Sequence, residues 1–187
     1  MNQYILTLIT FIPLAGALVM LFMPKEKVVL IKVLGVITTF ICLVLGTVLL
    51  INFEPDNPGM QFEQKLSWIP QLNVYYYMGA DGISVPMIFL TVLISFLACL
   101  ASWGIDLRVK EYFILYLLLE TGMLGAFSAL DLFLFYIFWE VMLVPMYFLI
   151  GIWGGPRKEY AAIKFFLYTL AGSVFMLFGI LALYFNS

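Results

Sequence analysis

The stretch Asp131–Pro156 reads DLFLFYIFWEVMLVPMYFLIGIWGGP, and the interpretation of the whole chain starts from it. It is an apolar segment long enough for an α-helix to cross a bilayer, which takes roughly 20 residues. One carboxylate, Glu140, lies near its middle, and Pro145 follows five residues later. A charged group at that depth is costly and indicates a functional site. Pro145 has no N–H to donate to the carbonyl of Val141, so it loosens the helix next to Glu140.

The composition assigns the chain to a class of protein. Its 187 residues are 65% hydrophobic and 11% charged, whereas a soluble domain carries about 25% charged residues. The apolar runs are continuous, which disfavours a β-barrel, where apolar and polar residues alternate. The sequence therefore predicts an all-α polytopic membrane protein.

Six membrane-spanning helices are predicted. The first has no lysine or arginine before it, so we interpret it as a retained span rather than a signal peptide. Lys32 is assigned to a basic connection before the second span, and residues 54–81 form the one long loop. Asp81 and Asp131 precede apolar spans and are predicted to cap helices. The predicted spans cover about residues 4–23, 33–53, 82–103, 112–130, 131–153 and 161–185.

The basic residues predict an orientation. Alternate loops place seven of them on one side of the membrane, against Lys65 alone on the other. Such loops face the cytoplasm or its equivalent. We therefore expect both chain ends and the 54–81 loop on the outer side. The seven residues are Lys25, Lys27, Lys32, Arg108, Lys110, Arg157 and Lys158.

Two carboxylates lie at matched depth in the membrane. Glu120 is ten residues before Leu130 and Glu140 is ten residues after it. At 1.5 Å per residue, each lies roughly 15 Å below the turn between the fourth and fifth spans. Such groups form proton or cation relays or act as polar contacts between helices. Helix rotation leaves open whether they face each other. Lys164, early in the last span, either extends to the interface or joins an ion pathway.

The sequence offers no signal for cofactor chemistry. Cys42 and Cys99 fall within apolar runs without CxxC spacing, and the chain has no histidine. We therefore expect no bound metal, haem or iron–sulfur cluster. Dinucleotide-binding, phosphate-loop and nucleophile-elbow motifs are absent from the sequence. No redox-active catalytic residue and no nucleic-acid partner are expected.

Three blocks carry a resemblance to a known family: GADGIS at 79–84, ALDLFLFYIFWEVMLVPMYFLIGIWGG at 129–155, and EYAAIKFFLYTLAGS at 159–173. With them the chain resembles the antiporter-like M-type subunit, or chain 4, of respiratory complex I. That resemblance implies the N-terminal part of a subunit of about fourteen membrane helices with inverted repeats. Residues 1–110 would form a three-helix segment with the outer loop 54–81. Residues 111–187 would form the first three helices of the first, truncated repeat.

The resemblance also implies roles for individual residues. Glu140, in the FWE motif, matches the family's key membrane carboxylate, which pairs with a lysine on a later, discontinuous helix in proton translocation. Glu120 would be a second carboxylate, and Lys164 would belong to the hydrophilic axis or its entrance. The helix bearing the partner lysine is not in this sequence. The resemblance thus suggests a fragment, a truncated reading frame or a piece of a split subunit, which we expect not to translocate ions alone.

Further expectations concern partners. The resemblance implies a subunit of an NADH:quinone oxidoreductase in which NADH, FMN, iron–sulfur clusters and quinone belong to other subunits. It also implies contact with other membrane subunits, the lipid bilayer, and protons or Na⁺. The expected location is a bacterial inner membrane, ahead of a mitochondrial inner or thylakoid membrane. Two alternatives stay open: the D-type subunit of a multisubunit cation/proton antiporter, and a non-conducting membrane scaffold.

Overall fold

A computed structural model describes residues 4–57 and 59–186. The first three residues, Pro58 and Ser187 lie outside the described residues. The predicted outward placement of the N-terminal residue and the chain end at Ser187 therefore lie outside this description.

The predicted helical architecture is confirmed, with six α-helices in the described chain. Four are long and apolar enough to cross a membrane, namely α2, α3 with its following turn, α5 and α6. Helix α1 is apolar but only 17 residues long, and α4 carries charged residues at its start and Glu120 within it. The helices are α1 (Ile5–Leu21), α2 (Val28–Ile51), α3 (Ser84–Ala101), α4 (Val109–Ser128), α5 (Leu132–Trp153) and α6 (Lys158–Asn186).

Helix α4 lies at the centre of the helix packing. It contacts α1, α2 and α3 on one side and α5 on the other, and α6 packs against α5. Two buried apolar clusters form the core. One lies between α1, α2, α3 and α4, and the other also includes residues of α5 and of the hairpin after α2. Much of α6 is exposed, as expected for a helix that has one packing partner here.

The predicted long loop is wrong in one respect, because it contains an antiparallel β-hairpin. Strand β1 (Gln61–Ile69) pairs with β2 (Val74–Ala80). A 3₁₀ turn and Asn73, at a left-handed φ of 53°, reverse the chain between them. Asparagine tolerates this conformation better than most residues. Three consecutive tyrosines, Tyr75 to Tyr77, favour a strand and lie in β2.

The hairpin is fastened to the helices at one end of the bundle, which we call the hairpin end. The Tyr76 hydroxyl lies 2.7 Å from Oγ1 of Thr7 in α1. The backbone N–H of Leu130 donates to the Tyr77 carbonyl at 2.9 Å. The hairpin therefore contacts both the first helix and the turn between α4 and α5.

The opposite end of the bundle carries the basic loops, and we call it the basic end. Here the assignment of Lys32 to a connection is wrong, because α2 already begins at Val28. Lys32 is buried and donates from Nζ to the Trp103 carbonyl at 2.7 Å. Lys110 donates to two carbonyls at the end of α1, and Lys158 to one in the last turn of α5. These lysines satisfy carbonyls that a helix end leaves unpaired.

Candidate functional site

Two glycines set the contact between α4 and α5. A Cβ atom added to Gly122 would lie 3.2 Å from the Phe138 carbonyl oxygen and 2.5 Å from Cγ of Met142. A Cβ on Gly125 would overlap the ring of Phe138. Small residues allow membrane helices to approach closely. The α5-facing side of α4 is therefore the side of Gly122 and Gly125, and the α4-facing side of α5 is that of Phe138 and Met142.

Glu120 lies on the other side of α4. It is two residues before Gly122, about 200° around the helix, and shares a stripe with Leu117 and Phe113. That stripe faces α1 and α2, because Leu117 contacts the Gly16 position and Phe113 the Gly35 position. Glu120 is 0% exposed. Its carboxylate is therefore held in the interior of the four N-terminal helices.

The Glu120 carboxylate has polar neighbours but no hydrogen bond. It interacts electrostatically with Cys42 of α2, Cys99 of α3 and Tyr116 of α4. Neither carboxylate oxygen accepts a hydrogen bond from any described residue. Such groups are rare in folded proteins because an unpaired buried polar group is costly. A carboxylate in this position needs a proton, water or a cation for compensation.

A second proline contributes to the same region. Pro13 lies within α1, so the carbonyl of Ile9 lacks its normal helical donor. The Cys42 thiol contacts that carbonyl at 3.9 Å. The Cys42 thiol next to Glu120 therefore contacts a carbonyl that lacks its usual helical hydrogen bond.

Glu140 lies on the side of α5 that faces α6. It is two residues from both Phe138 and Met142, again about 200° away from the α4 contact. The hydroxyl of Tyr136, one turn earlier, interacts with the Glu140 carboxylate and with Ser173 of α6. Glu140 is half-buried, and its Oε1 is buried without a hydrogen-bond partner among the described residues.

The two carboxylates therefore do not face each other. Glu120 faces α1, α2 and α3, and Glu140 faces α6, so the α4–α5 contact separates them. This answers the rotation question that the sequence left open. Pro145 is buried within α5, which continues past it to Trp153.

Lys164 is not brought to either carboxylate. It is exposed, and it is two residues from Ala162, which contacts α5 at the Gly151 position. Its Nζ lies 5.8 Å from the centre of the Tyr160 ring. Along α6 it is nine residues from Ser173, a separation of about 13 Å. Lys164 therefore does not contact Glu140 in the described chain, and its role in an ion pathway stays a prediction.

The two predicted helix caps are confirmed. Oδ1 of Asp81 accepts from the N–H of Ser84 at 2.7 Å. This bond is the main reason why the pKa of Asp81 lies below its usual value. Asp131 accepts from the N–H groups of Phe133 and Leu134 at 2.9 and 3.1 Å. Its second oxygen accepts from Tyr75 N–H at 3.1 Å. Asp131 thus joins the start of α5 to the hairpin.

Sequence reasoning missed two tyrosines next to the carboxylates. Tyr116 precedes Glu120 by four residues, and Tyr136 precedes Glu140 by four residues. Side chains at this spacing are neighbours on a helix. The repeated Tyr-x-x-x-Glu spacing was the signal that would have identified them.

Relatives of known type cover nearly the whole chain. It is 43% identical over 186 residues to NADH-quinone oxidoreductase subunit M of Rhodobacter capsulatus, covering 97% of this chain and 36% of that protein. It is 40% identical to NADH-ubiquinone oxidoreductase chain 4 of Arabidopsis thaliana, covering 94% of this chain and 36% of the relative. The chain matches a part of the M-type subunit of complex I.

Two further findings agree with the M-type match. Residues 129–187 match the family described as NADH:quinone oxidoreductase/Mrp antiporter, TM. In fold, the chain is similar to a chain of respiratory complex I from Thermus thermophilus with bound NADH, with a TM-score of 0.79 and 29% identity. That match covers 94% of this chain and 35% of the other. The chain thus spans about a third of the length of the M-type relatives and is an integral membrane protein.

Among the described residues, no group of three or more histidine, cysteine, aspartate or glutamate side chains is arranged to hold a metal ion. The candidate functional groups of this chain are therefore the carboxylates of Glu140 and Glu120.

Proposed function

We propose that this chain works within a proton-translocating membrane subunit of a complex I-type NADH:quinone oxidoreductase, with Glu140 as its principal proton-carrying group. The observation that carries this proposal is the setting of Glu140 in the contact between α5 and α6. One of its oxygens is buried without a described partner, and Tyr136 and Ser173 supply hydroxyls nearby. A carboxylate in such a setting binds and releases a proton as its surroundings change.

Other parts of the proposal concern the complex around the chain. NADH, FMN, iron–sulfur clusters and quinone would be bound by other subunits, and quinone reduction there would drive ion movement here. The chain would contact other membrane subunits and lipid, in a bacterial inner membrane with its basic end towards the cytoplasm. Glu120 would be a second proton-carrying group, and Lys164 would act at the entrance of the hydrophilic path.

The decisive experiment replaces Glu140 with glutamine in the assembled complex. We expect Glu140→Gln to reduce proton pumping severely, because the amide cannot carry a proton, while the amount of assembled complex stays the same. Glu159→Gln is the matched control, since Glu159 is exposed in the first turn of α6. Normal pumping by Glu140→Gln complexes would contradict the proposal.

Two other functions give different results in the same experiment. A scaffold role predicts that Glu140→Gln reduces pumping only in proportion to lost assembly. A cation/proton antiporter role is suggested by the description of the matched family, which includes Mrp antiporters. It predicts cation-dependent proton exchange that needs neither NADH nor quinone. Pumping that requires both substrates would exclude it.

A further inference from the structure

A line of polar groups leads from Glu120 towards the basic end of the bundle. Tyr112, Tyr116 and Glu120 follow one another at four-residue spacing along α4, so they share one side of the helix. The Tyr116 hydroxyl donates to the Ser95 carbonyl at 2.6 Å. The Tyr112 hydroxyl lies 2.8 Å from Oγ of Ser102.

The two tyrosines are adjacent and close to Glu120. Their rings stack, with centres 6.1 Å apart. Tyr116 interacts electrostatically with both Glu120 and Tyr112. The hydroxyls of Tyr116, Tyr112 and Ser102 therefore lie one after another in the contact between α3 and α4.

The line ends at a charged group near the surface. Ser102 is followed by Trp103, whose carbonyl accepts from the buried Lys32. Lys32 Nζ lies 3.4 Å from Oδ1 of Asp106, and the side chain of Asp106 is 91% exposed. Asp106 therefore lies in water close to this end of the line.

Along α4 in the opposite direction, the line is not continued. One turn beyond Glu120 lies Leu124, and the Ser128 hydroxyl donates to the Leu124 carbonyl instead of extending the line. Leu124 belongs to a fully buried apolar group on this side of Glu120. The group contains Leu49, Met78, Val85, Ile88, Val92 and Leu124.

We propose that Glu120 exchanges its proton with water at the basic end of the bundle through Tyr116 and Tyr112. This inference rests on the proposed function, in which Glu120 carries protons, and adds the route and its direction. A proton leaves the Glu120 carboxylic acid through water beside Tyr116. Each tyrosine oxygen accepts a proton on one side and releases its own on the other, so neither tyrosine changes charge. Bulk water near Asp106 receives the proton as hydronium.

The groups around Glu120 agree with this exchange. The titratable side chains that interact with it are Cys42, Cys99 and Tyr116. No lysine or arginine of the described chain compensates its charge. The carboxylate therefore has no local cation that would hold it permanently ionised.

The test follows hydrogen–deuterium exchange at Glu120 in the full chain in lipid nanodiscs. The infrared C=O band of the Glu120 carboxylic acid is identified by its loss in Glu120→Gln. Its shift after transfer to D₂O gives the exchange rate. We expect Tyr116→Phe to slow exchange roughly a hundredfold, the size of effect that one positioned proton-transfer group supplies. Tyr112→Phe should slow it in the same direction.

Two control variants remove hydroxyls outside the line. Tyr147→Phe changes a tyrosine in the α5–α6 contact, and Ser128→Ala changes the hydroxyl in the opposite direction along α4. Both should exchange at the rate of the unaltered chain. If Tyr116→Phe does not fold, the exchange rate of Tyr112→Phe tests the route in its place. Unchanged exchange in the tyrosine variants that do fold, or a Glu120 that shows no carboxylic acid band, would overturn the proposal.

The direction of access is tested separately. In an Asp106→Cys variant, a membrane-impermeant thiol reagent should slow exchange at Glu120. The same reagent on Ser67→Cys, an exposed position in the hairpin, should not. The native Cys42 and Cys99 are 0% exposed. Slower exchange after labelling at Ser67→Cys alone would place the route at the hairpin end and refute the proposal.

These measurements need no turnover of the complex. If Glu140→Gln complexes pump normally, the proposed function fails while the exchange route can still be measured. If the exchange rate at Glu120 is unchanged in both tyrosine variants, the proposed route is wrong, while the proposed function of Glu140 is unaffected.

Discussion

Replacing Glu120 with leucine should make the chain more stable. The side chain is 0% exposed and neither carboxylate oxygen has a hydrogen-bond partner among the described residues. One unsatisfied buried polar group costs about 1–3 kcal/mol. The unfolded chain in a membrane also has no water around this carboxylate, although it finds some partners there. Removing the two unpaired oxygens therefore stabilises the folded chain by less than twice the cost of one such group. We expect Glu120→Leu to raise the free energy of unfolding by about 1–3 kcal/mol.

The assay is SDS-induced unfolding in mixed micelles, followed by the helical circular dichroism signal. Thr39→Val is the matched control, because Thr39 is equally buried but its hydroxyl donates to the Gly35 carbonyl at 3.1 Å. Removing that satisfied bond should lower stability by about 1 kcal/mol. A Glu120→Leu chain that is less stable than the unaltered one would refute the reasoning. It would show that Glu120 holds helices together, as the scaffold role requires.

Four further predictions concern packing and helix caps. Gly125→Ala should lower the free energy of unfolding by about 1–3 kcal/mol, because the new methyl group overlaps Phe138. Gly172→Ala, with nothing within 4 Å, should raise it by about 0.5–1 kcal/mol; the same SDS titration checks both. Asp131→Ala should lower the thermal unfolding midpoint through a loss of about 0.5–2 kcal/mol, and an unchanged midpoint would contradict its role as a cap. The stabilising effect of Asp81 should be complete above the usual aspartate pKa and lost as pH falls through its lowered folded-state pKa, so Asp81→Asn should flatten stability against pH in that range.

The membrane class and the helices follow from short-range information in the chain. A continuous apolar run of sufficient length has few alternatives to a helix in lipid, because every backbone polar group must be satisfied internally. The caps Asp81 and Asp131 were predictable for the same reason, since a cap acts on amides two or three residues away. The hairpin was missed because strand pairing joins residues that are distant in sequence. The three prolines and the high polarity of this segment are also typical of a loop.

The matched depth of the two carboxylates is predicted from the sequence alone, since it depends only on distance from the turn between α4 and α5. Their directions were decided by tertiary packing. Gly122 and Gly125 set which side of α4 meets α5, and that contact turns Glu120 towards α1, α2 and α3 while Glu140 faces α6. Lys32 shows the same division: its charge was visible in the sequence, but its burial against the Trp103 carbonyl required α2 and α3 to pack together. Helix rotation depends on which side chains fit between two helices, and a single helix does not contain that information.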